Sequence, residues 1–247
     1  MAIPRQLRDG IRGLLFDTHY GHRTAGGTVV TDDVRTPASQ VYLCHETCEI
    51  GATPLVSVLR AIRRFLRHHP RNVLVIDNED DVTPHDVARE VARSGLGHVV
   101  YRGKPGPRWP TLRAMIARRQ QAVMLAEHDA AGVSFYHAAY DGILQETPYT
   151  WDQPALITRR ADWPASCLPN RGGRHGSLFL MNHWSPPVPP PTPDPAAGAK
   201  VNATRVLVGR AKACRNVRGR LPNLVAVDMY RSGGLFAAVR RLNALQR

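Results

Sequence analysis

Short apolar runs alternate along the chain with longer stretches of helical spacing. Gly13–Phe16, Val41–Leu43, Val73–Ile76, Ala122–Ala126, Leu178–Met181 and Leu224–Val227 read as strands. Between them, Leu55, Val58, Leu59, Ile62, Phe65 and Leu66 recur at the spacing of one helix face and predict a helix over about 54–68. Thr83 followed by Pro84 is an N-cap and first-turn pair that opens a helix running to about Ser94. Trp109–Pro110–Thr111 starts a further helix that Arg118 and Arg119 end, and two more are predicted over about 199–217 and 235–245. Repeated strand–helix order predicts an α/β fold with a parallel sheet.

The ends of these strands carry the candidate chemistry. The apolar runs lead into Asp17, His45, Asp77 with Glu79, Glu127, His183 and Asp228. Parallel strands of a (β/α) barrel of TIM type point their carboxyl ends at one mouth, where that architecture places its active site. A length of 247 residues suits one such barrel, so residues 1–247 are read as a single domain. Six strands are clear, and His98–Tyr101 or Val133–Tyr136 supplies a seventh, whereas a full barrel needs eight. The expectation is therefore a barrel distorted or incomplete at its N-terminus, as if a first strand were missing ahead of Gly10.

Two regions break the alternation. Between Glu127 and Ser177 lies an aromatic stretch with Tyr136, His137, Tyr140, Asp141, Gln145, Glu146 and Trp151, long enough for a functional loop. Tyr136, Tyr140 and Trp151 read either as core or as a rim for a polyol or lipid headgroup. Pro186–Pro195 is dense in proline and reads as an extended surface excursion.

Composition narrows the partner. The 33 Lys and Arg against 20 Asp and Glu give a formal charge of +13, which favours phosphoesters, acidic lipid surfaces or nucleic acid. No nucleic-acid reading motif is present, so nucleic acid is not the expected partner. Arg60, Arg63, Arg64 and Arg67 read as a solvated helix face. No apolar run is long enough for a transmembrane helix, and no charged-then-apolar leader precedes Ile3. Cys44, Cys48, Cys167 and Cys214 are even in number and compatible with two disulfides in an exported protein. Cys44 and Cys48 with His45 also allow zinc, although no second close pair completes a standard spacing.

The stretches GIRGLLFDTHYG (Gly10–Gly21), VYLCHETCEIG (Val41–Gly51), VLVIDNEDDVTP (Val73–Pro84), ILQETPY (Ile143–Tyr149), LFLMNHW (Leu178–Trp184) and PNLVAVDMY (Pro222–Tyr230) together resemble a known family. They are similar, in order and over nearly the whole chain, to the phospholipase-C-like phosphodiesterases, close to the X region of phosphatidylinositol-specific phospholipase C and its secreted relatives. The resemblance implies a distorted barrel that cleaves phosphodiesters, and export of the protein. It gives Asp17 the role of orienting a histidine or binding calcium, and His45 that of general acid. It places Asp77 or Glu79 where calcium-dependent relatives carry an acidic ligand, so that Asp17, Asp77 and Glu79 form the candidate calcium set, with oxygen donors suited to a hard cation. Metal-free relatives have an arginine two residues after the aspartate, and here that position is His19. The family's first-strand histidine, its general base, has no counterpart before Gly10, which a misassigned start, a truncated gene or a non-catalytic relative would each explain. His19 is the candidate substitute.

Glu127, Glu146, His183 and Asp228 are candidate substrate contacts at the mouth. Phosphodiester cleavage needs a base for the nucleophile, an acid for the leaving alkoxide and positive charge on the non-bridging oxygens. The expected function is a phosphoric diester hydrolase of lipid metabolism, monomeric and in peripheral contact with anionic membrane, acting on a phosphoinositide, glycerophosphodiester or similar headgroup. The alternative is a catalytically impaired barrel that binds anionic headgroups or a partner. If the protein is exported, Cys44 is expected to pair with Cys48 and Cys167 with Cys214.

Overall fold

The computed structural model describes residues 3–149, 155–184 and 195–245; Trp151 and the proline-dense stretch 186–194 lie outside the described residues. The chain divides into two compact units, Met1–Ala139 and Tyr140–Arg247.

The first unit runs α1 (Ile3–Asp9), β1 (Gly13–Arg23), β2 (Val29–Thr31), β3 (Gln40–Leu43), β4 (Thr53–Pro54), α2 (Leu55–His68), β5 (Leu74–Asp80), α3 (Pro84–Ser94), α4 (Leu112–Ala117), β6 (Ala122–Ala126) and β7 (Tyr136–Ala138). Its strands form one seven-stranded sheet in the order β4-β3-β1-β5-β6-β7, with β2 added to β1. The pairs β1–β5, β5–β6 and β6–β7 are parallel. The pairs β1–β2, β1–β3 and β3–β4 are antiparallel, so the sheet is mixed rather than wholly parallel. The reason lies in residues 24–39, which form no helix. A parallel return needs a crossover of a dozen or more residues, usually helical. Here the chain instead turns at Gly27, whose φ of 89° suits a residue without a Cβ, and folds straight back as a hairpin.

The helices form where periodicity and capping agree. In α2 the positions Leu55, Val58, Leu59, Ile62 and Leu66 are buried, and they join Leu14, Phe16, Leu74, Ile76 and Met124 of the sheet in one core. Each such side chain contributes about 1.5–3 kcal/mol by leaving water. The hydroxyl of Thr83 accepts from the N–H of Asp86 and starts α3, and Gly95 closes it in the left-handed conformation. Thr111 caps α4 in the same way, leaving Trp109 and Pro110 ahead of the helix.

Alternation along β1 separates two faces. Leu14, Phe16, Thr18 and Tyr20 are buried on the face that carries the core. Leu15, Asp17 and His19 lie on the other, opposite Asp77 and Glu79 of β5 through the pairs Leu15↔Asp77 and Asp17↔Glu79. β5 runs to Asp80, four residues beyond the apolar run, because the Asn78 amide N–H groups and the Asp80 carboxylate are bonded on the buried face. Asn78 donates to the hydroxyl oxygens of Thr18 (2.9 Å) and Tyr136 (2.7 Å).

The second unit contains β8 (Leu144–Glu146), α5 (Ala155–Thr158), β9 (Leu178–Asn182), α6 (Pro195–Val201), α7 (Thr204–Arg218), β10 (Leu224–Ala226) and α8 (Leu235–Ala244). Its sheet is parallel throughout, in the order β10-β9-β8. The single helix expected over 199–217 is broken at Asn202–Ala203. There the carbonyl of Asn202 accepts from the N–H of Gly234 and its amide donates to the carbonyl of Asp228, so this backbone serves the loop before α8. Disulfides join Cys44 to Cys48 and Cys167 to Cys214, as expected for an exported chain, and they leave no cysteine for zinc.

Candidate active site

Asp17, midway along β1, and His45, two residues past β3, meet where β3 ends. The backbone N–H of Cys44 donates to the carbonyl of Asp17 (3.1 Å), which brings the end of β3 alongside β1. His45 Nδ1 then lies 2.9 Å from Asp17 Oδ2. The loop that carries His45 is short and constrained, closed by the disulfide between Cys44 and Cys48 and containing Glu46 in the left-handed conformation at φ 61°. Non-glycine residues there cost roughly 1 kcal/mol or more and cluster where function fixes the backbone.

This contact sets the chemistry of His45. Its hydrogen bond to Asp17 raises the imidazole pKa, partial burial opposes the shift, and the charges of Asp17, Glu46 and Glu79 add to it. With Nδ1 held by a carboxylate, Nε2 is the nitrogen left to exchange a proton, and the side chain is 81% exposed. Beside the pair lies a cavity of about 560 Å³ lined by Asp17, His45, Ile3, Leu15, Leu43 and Val58.

The remaining candidates fall into distinct places. His19 follows Asp17 on the same face and its Nδ1 lies 3.2 Å from Asp81 Oδ2, with the side chain 12% exposed. Glu79 is exposed directly across from Asp17, while Asp77 is buried two residues earlier. Asp17, Asp77 and Glu79 offer the right oxygen chemistry for calcium, but among the described residues no three acidic, histidine or cysteine side chains converge to hold a metal ion. Glu127 is half-buried just past β6, its N–H donating to the carbonyl of Asn78.

In the second unit the candidates are differently placed. Glu146 is fully buried and accepts from Arg171 Nε (2.7 Å), Asn170 (2.8 Å), Asn182 (3.0 Å) and the Tyr140 hydroxyl (3.1 Å). Arg171 also stacks on the rings of Tyr140 and Tyr149. His183 is fully buried, with Nδ1 3.1 Å from Arg210 NH1 and Nε2 donating to the carbonyl of Val201 (3.0 Å). Burial foremost, then the charge of Arg210, pushes its pKa down to about 3. Asp228 is exposed after β10 and is followed by Met229 at φ 48°, a second left-handed non-glycine residue next to a candidate. Of the aromatic candidates, Tyr136 is core, bonded to Asn78, and Tyr140 is tied to Glu146.

The family model described as PI-PLC X 1 matches residues 2–243. This chain belongs to the PI-PLC X family. Solved structures similar to this PI-PLC X chain include the phosphatidylinositol-specific phospholipase C from Listeria monocytogenes, 14% identical with a TM-score of 0.55 over 98% of this chain and 81% of that one. The phosphatidylinositol-specific phospholipase C of S. aureus is 12% identical with a TM-score of 0.50 over 90% of this chain and 75% of that one. At these identities the likeness establishes a shared mixed α/β fold. No curated protein sequence matches the chain.

Sequence reasoning gave no site role to Asp80 and Asp81, which read as part of an acidic turn before Thr83, and passed over His128, which meets both. Asp80 is buried on β5 and its two oxygens accept the N–H groups of His128 (3.0 Å) and Asp129 (3.2 Å). The available signal was the Glu127–His128 pair at a strand end, of which only Glu127 was taken.

Proposed function

We propose that this PI-PLC X chain is a phosphoric diester hydrolase that cleaves the headgroup ester of a phosphoinositide, a glycerophosphodiester or a related lipid. The observation that carries the proposal is the Asp17–His45 pair where β3 ends beside β1, inside a chain of this family. Asp17 holds the imidazole by Nδ1 and favours its charged form, so His45 Nε2–H is the donor to the leaving alkoxide. The attacking oxygen belongs to a neighbouring hydroxyl of the headgroup or to water. Binding of the anionic ester is favoured by the +13 formal charge.

The same reading takes the two units as parts of one distorted (β/α) barrel of TIM type, acting as a monomer. Both disulfides support export to the extracellular side, where the substrate lies in a membrane surface. The S. aureus phospholipase is known for membrane binding, and we extend peripheral contact with anionic membrane to this protein.

The test is hydrolysis of phosphatidylinositol in vesicles and of a soluble aryl phosphodiester, each with added calcium and with chelator. Turnover that survives chelation supports the proton-transfer reading. Turnover that requires calcium restores the ion to the mechanism. Headgroup binding with no turnover by the folded chain selects the alternative, a catalytically impaired binding protein.

A further inference from the structure

An enzyme that acts on a lipid within a membrane needs a face that meets the membrane. We propose that this face is the outer side of α2, where Arg60, Arg63, Arg64 and Arg67 dock the protein on an anionic lipid surface and Ile50 enters that surface beside the site. The inference deepens the phosphodiesterase reading by assigning its membrane contact to named residues, and it rests on that reading for where the substrate lies.

Charge comes first. The four arginines stand at i, i+3, i+4 and i+7 and so line one side of α2 over about 10 Å. That side is turned away from Leu55, Val58, Leu59, Ile62 and Leu66, which are buried in the core. Arg60, Arg64 and Arg67 are exposed and Arg63 is half-buried. α2 contains no acidic residue, and none occurs from Ile50 to Ile76, a stretch that also carries His68, His69 and Arg71. Among the described residues none of the four guanidinium groups has a carboxylate within ion-pair distance. The helices that touch α2 show the ordinary alternative. On α1 Arg5 pairs with Asp9, and on α3 Arg89 pairs with Asp86 and Arg93 with Glu90. Arginine is compensated on the flanking helices and uncompensated on α2.

Position comes second. Gly51, Ser57 and Ala61 border the same cavity as Asp17 and His45. Arg60 follows Ser57 by three positions and Arg64 follows Ala61 by three, the spacing of neighbours on a helix surface. Ile50 directly precedes Gly51, two residues past Cys48, and is 77% exposed. The near end of the arginine row and the apolar side chain therefore stand at the margin of the site, and a surface held by them lies next to His45.

The chemistry selects the partner. Guanidinium groups bind phosphate oxygens through paired N–H donors and keep their charge at any working pH. A bilayer of anionic lipid and a nucleic acid both offer phosphates, but only the bilayer also offers an apolar layer in which an exposed isoleucine leaves water. A second copy of the chain would bring the same uncompensated row and is repelled. Attraction of arginine to an anionic lipid surface is electrostatic, so salt weakens it.

The experiment measures sedimentation of the whole chain with vesicles of phosphatidylcholine, with and without phosphatidylglycerol, at rising salt, with the folding of each variant checked by its thermal midpoint. The wild-type chain is expected to bind the mixed vesicles and to be released by salt. Arg60→Gln combined with Arg64→Gln keeps helix propensity and is expected to weaken that binding about 25-fold, at about fivefold per charge removed. Ile50→Ser is expected to weaken it by about tenfold or more. The control is Arg240→Gln combined with Arg241→Gln, which removes the same charge from exposed positions on α8. An equal loss in the control, equal binding to vesicles with and without phosphatidylglycerol, or retention on DNA without binding to vesicles overturns the docking face. Loss confined to the α2 and Ile50 variants, in a chain that turns over neither phosphatidylinositol nor a soluble aryl phosphodiester, upholds the docking face and removes the phosphodiesterase reading. Turnover of both esters with vesicle binding indifferent to the α2 variant does the reverse.

Discussion

His45 and His183 occupy the same place in the sequence pattern, one or two residues after an apolar strand, and have opposite chemistry. His45 is exposed, bonded to a carboxylate and raised in pKa. His183 is enclosed, set against the guanidinium of Arg210 and pushed down to about 3. What a histidine does is fixed by its partner and by its share of water, neither of which is visible in the run of residues that leads to it. On the proposed reading the first exchanges protons, whereas the second is held neutral, its Nε2–H given to a carbonyl and its Nδ1 receiving from an arginine.

The sharpest test of the contrast is His45→Ala, expected to lower turnover of phosphatidylinositol by at least about 100- to 10,000-fold while the thermal midpoint stays close to wild type. Turnover near wild type would erase the distinction between the two histidines. Next in size is Arg210→Met. Arg210 donates to Ser166 Oγ (2.8 Å), the Ser166 carbonyl (2.8 Å) and the Asn182 carbonyl (2.5 Å) besides His183, and all of it is buried. Losing these bonds is expected to cost about 3–5 kcal/mol in urea unfolding. His183→Ala removes one member of that network and is expected to cost about 1–3 kcal/mol, with turnover per folded molecule unchanged.

The smallest effect is the sign of two pH dependences. The raised pKa of His45 gives a stabilisation that is complete below the unfolded value of about 6.5 and lost as pH rises through the folded value. The depressed pKa of His183 gives one that is present above about 6.5 and lost as pH falls toward about 3. Asp17→Asn is expected to remove the first slope, moving the NMR titration of His45 downward, and to leave the second intact. Equal slopes in the variant and the parent would contradict the Asp17–His45 contact.

Much of the fold was legible because apolar spacing and capping agreed locally. Leu55 to Leu66 marked α2, Thr83 marked the start of α3, and Ala122–Ala126 is β6 to the residue. The misreadings fall where polar residues are buried by hydrogen bonds. Asn78 and Asp80 belong to β5 because the Asn78 amide N–H groups are met by Thr18 and Tyr136 and the Asp80 carboxylate by the backbone of His128 and Asp129, partners remote in sequence. β1 continues through polar residues to Arg23 because the hairpin to β2 supplies its ladder, which only the turn at Gly27 foretold. The Asp17–His45 pair was legible through the family motif. The inward position of Glu146 and His183 was not, since its cause lies in Arg171, Asn182 and Arg210.

The small ring closed by Cys44 and Cys48 has a further consequence. By chain entropy alone, a ring this short stabilises the fold by about 2 kcal/mol, against about 4 for the longer one joining Cys167 and Cys214. Its larger effect is local, since it holds the backbone on both sides of Glu46 and keeps the imidazole in line with Asp17. A thiol reductant that opens this bond is expected to loosen the hold of Asp17 on the ring of His45, seen as a downward move of its NMR titration.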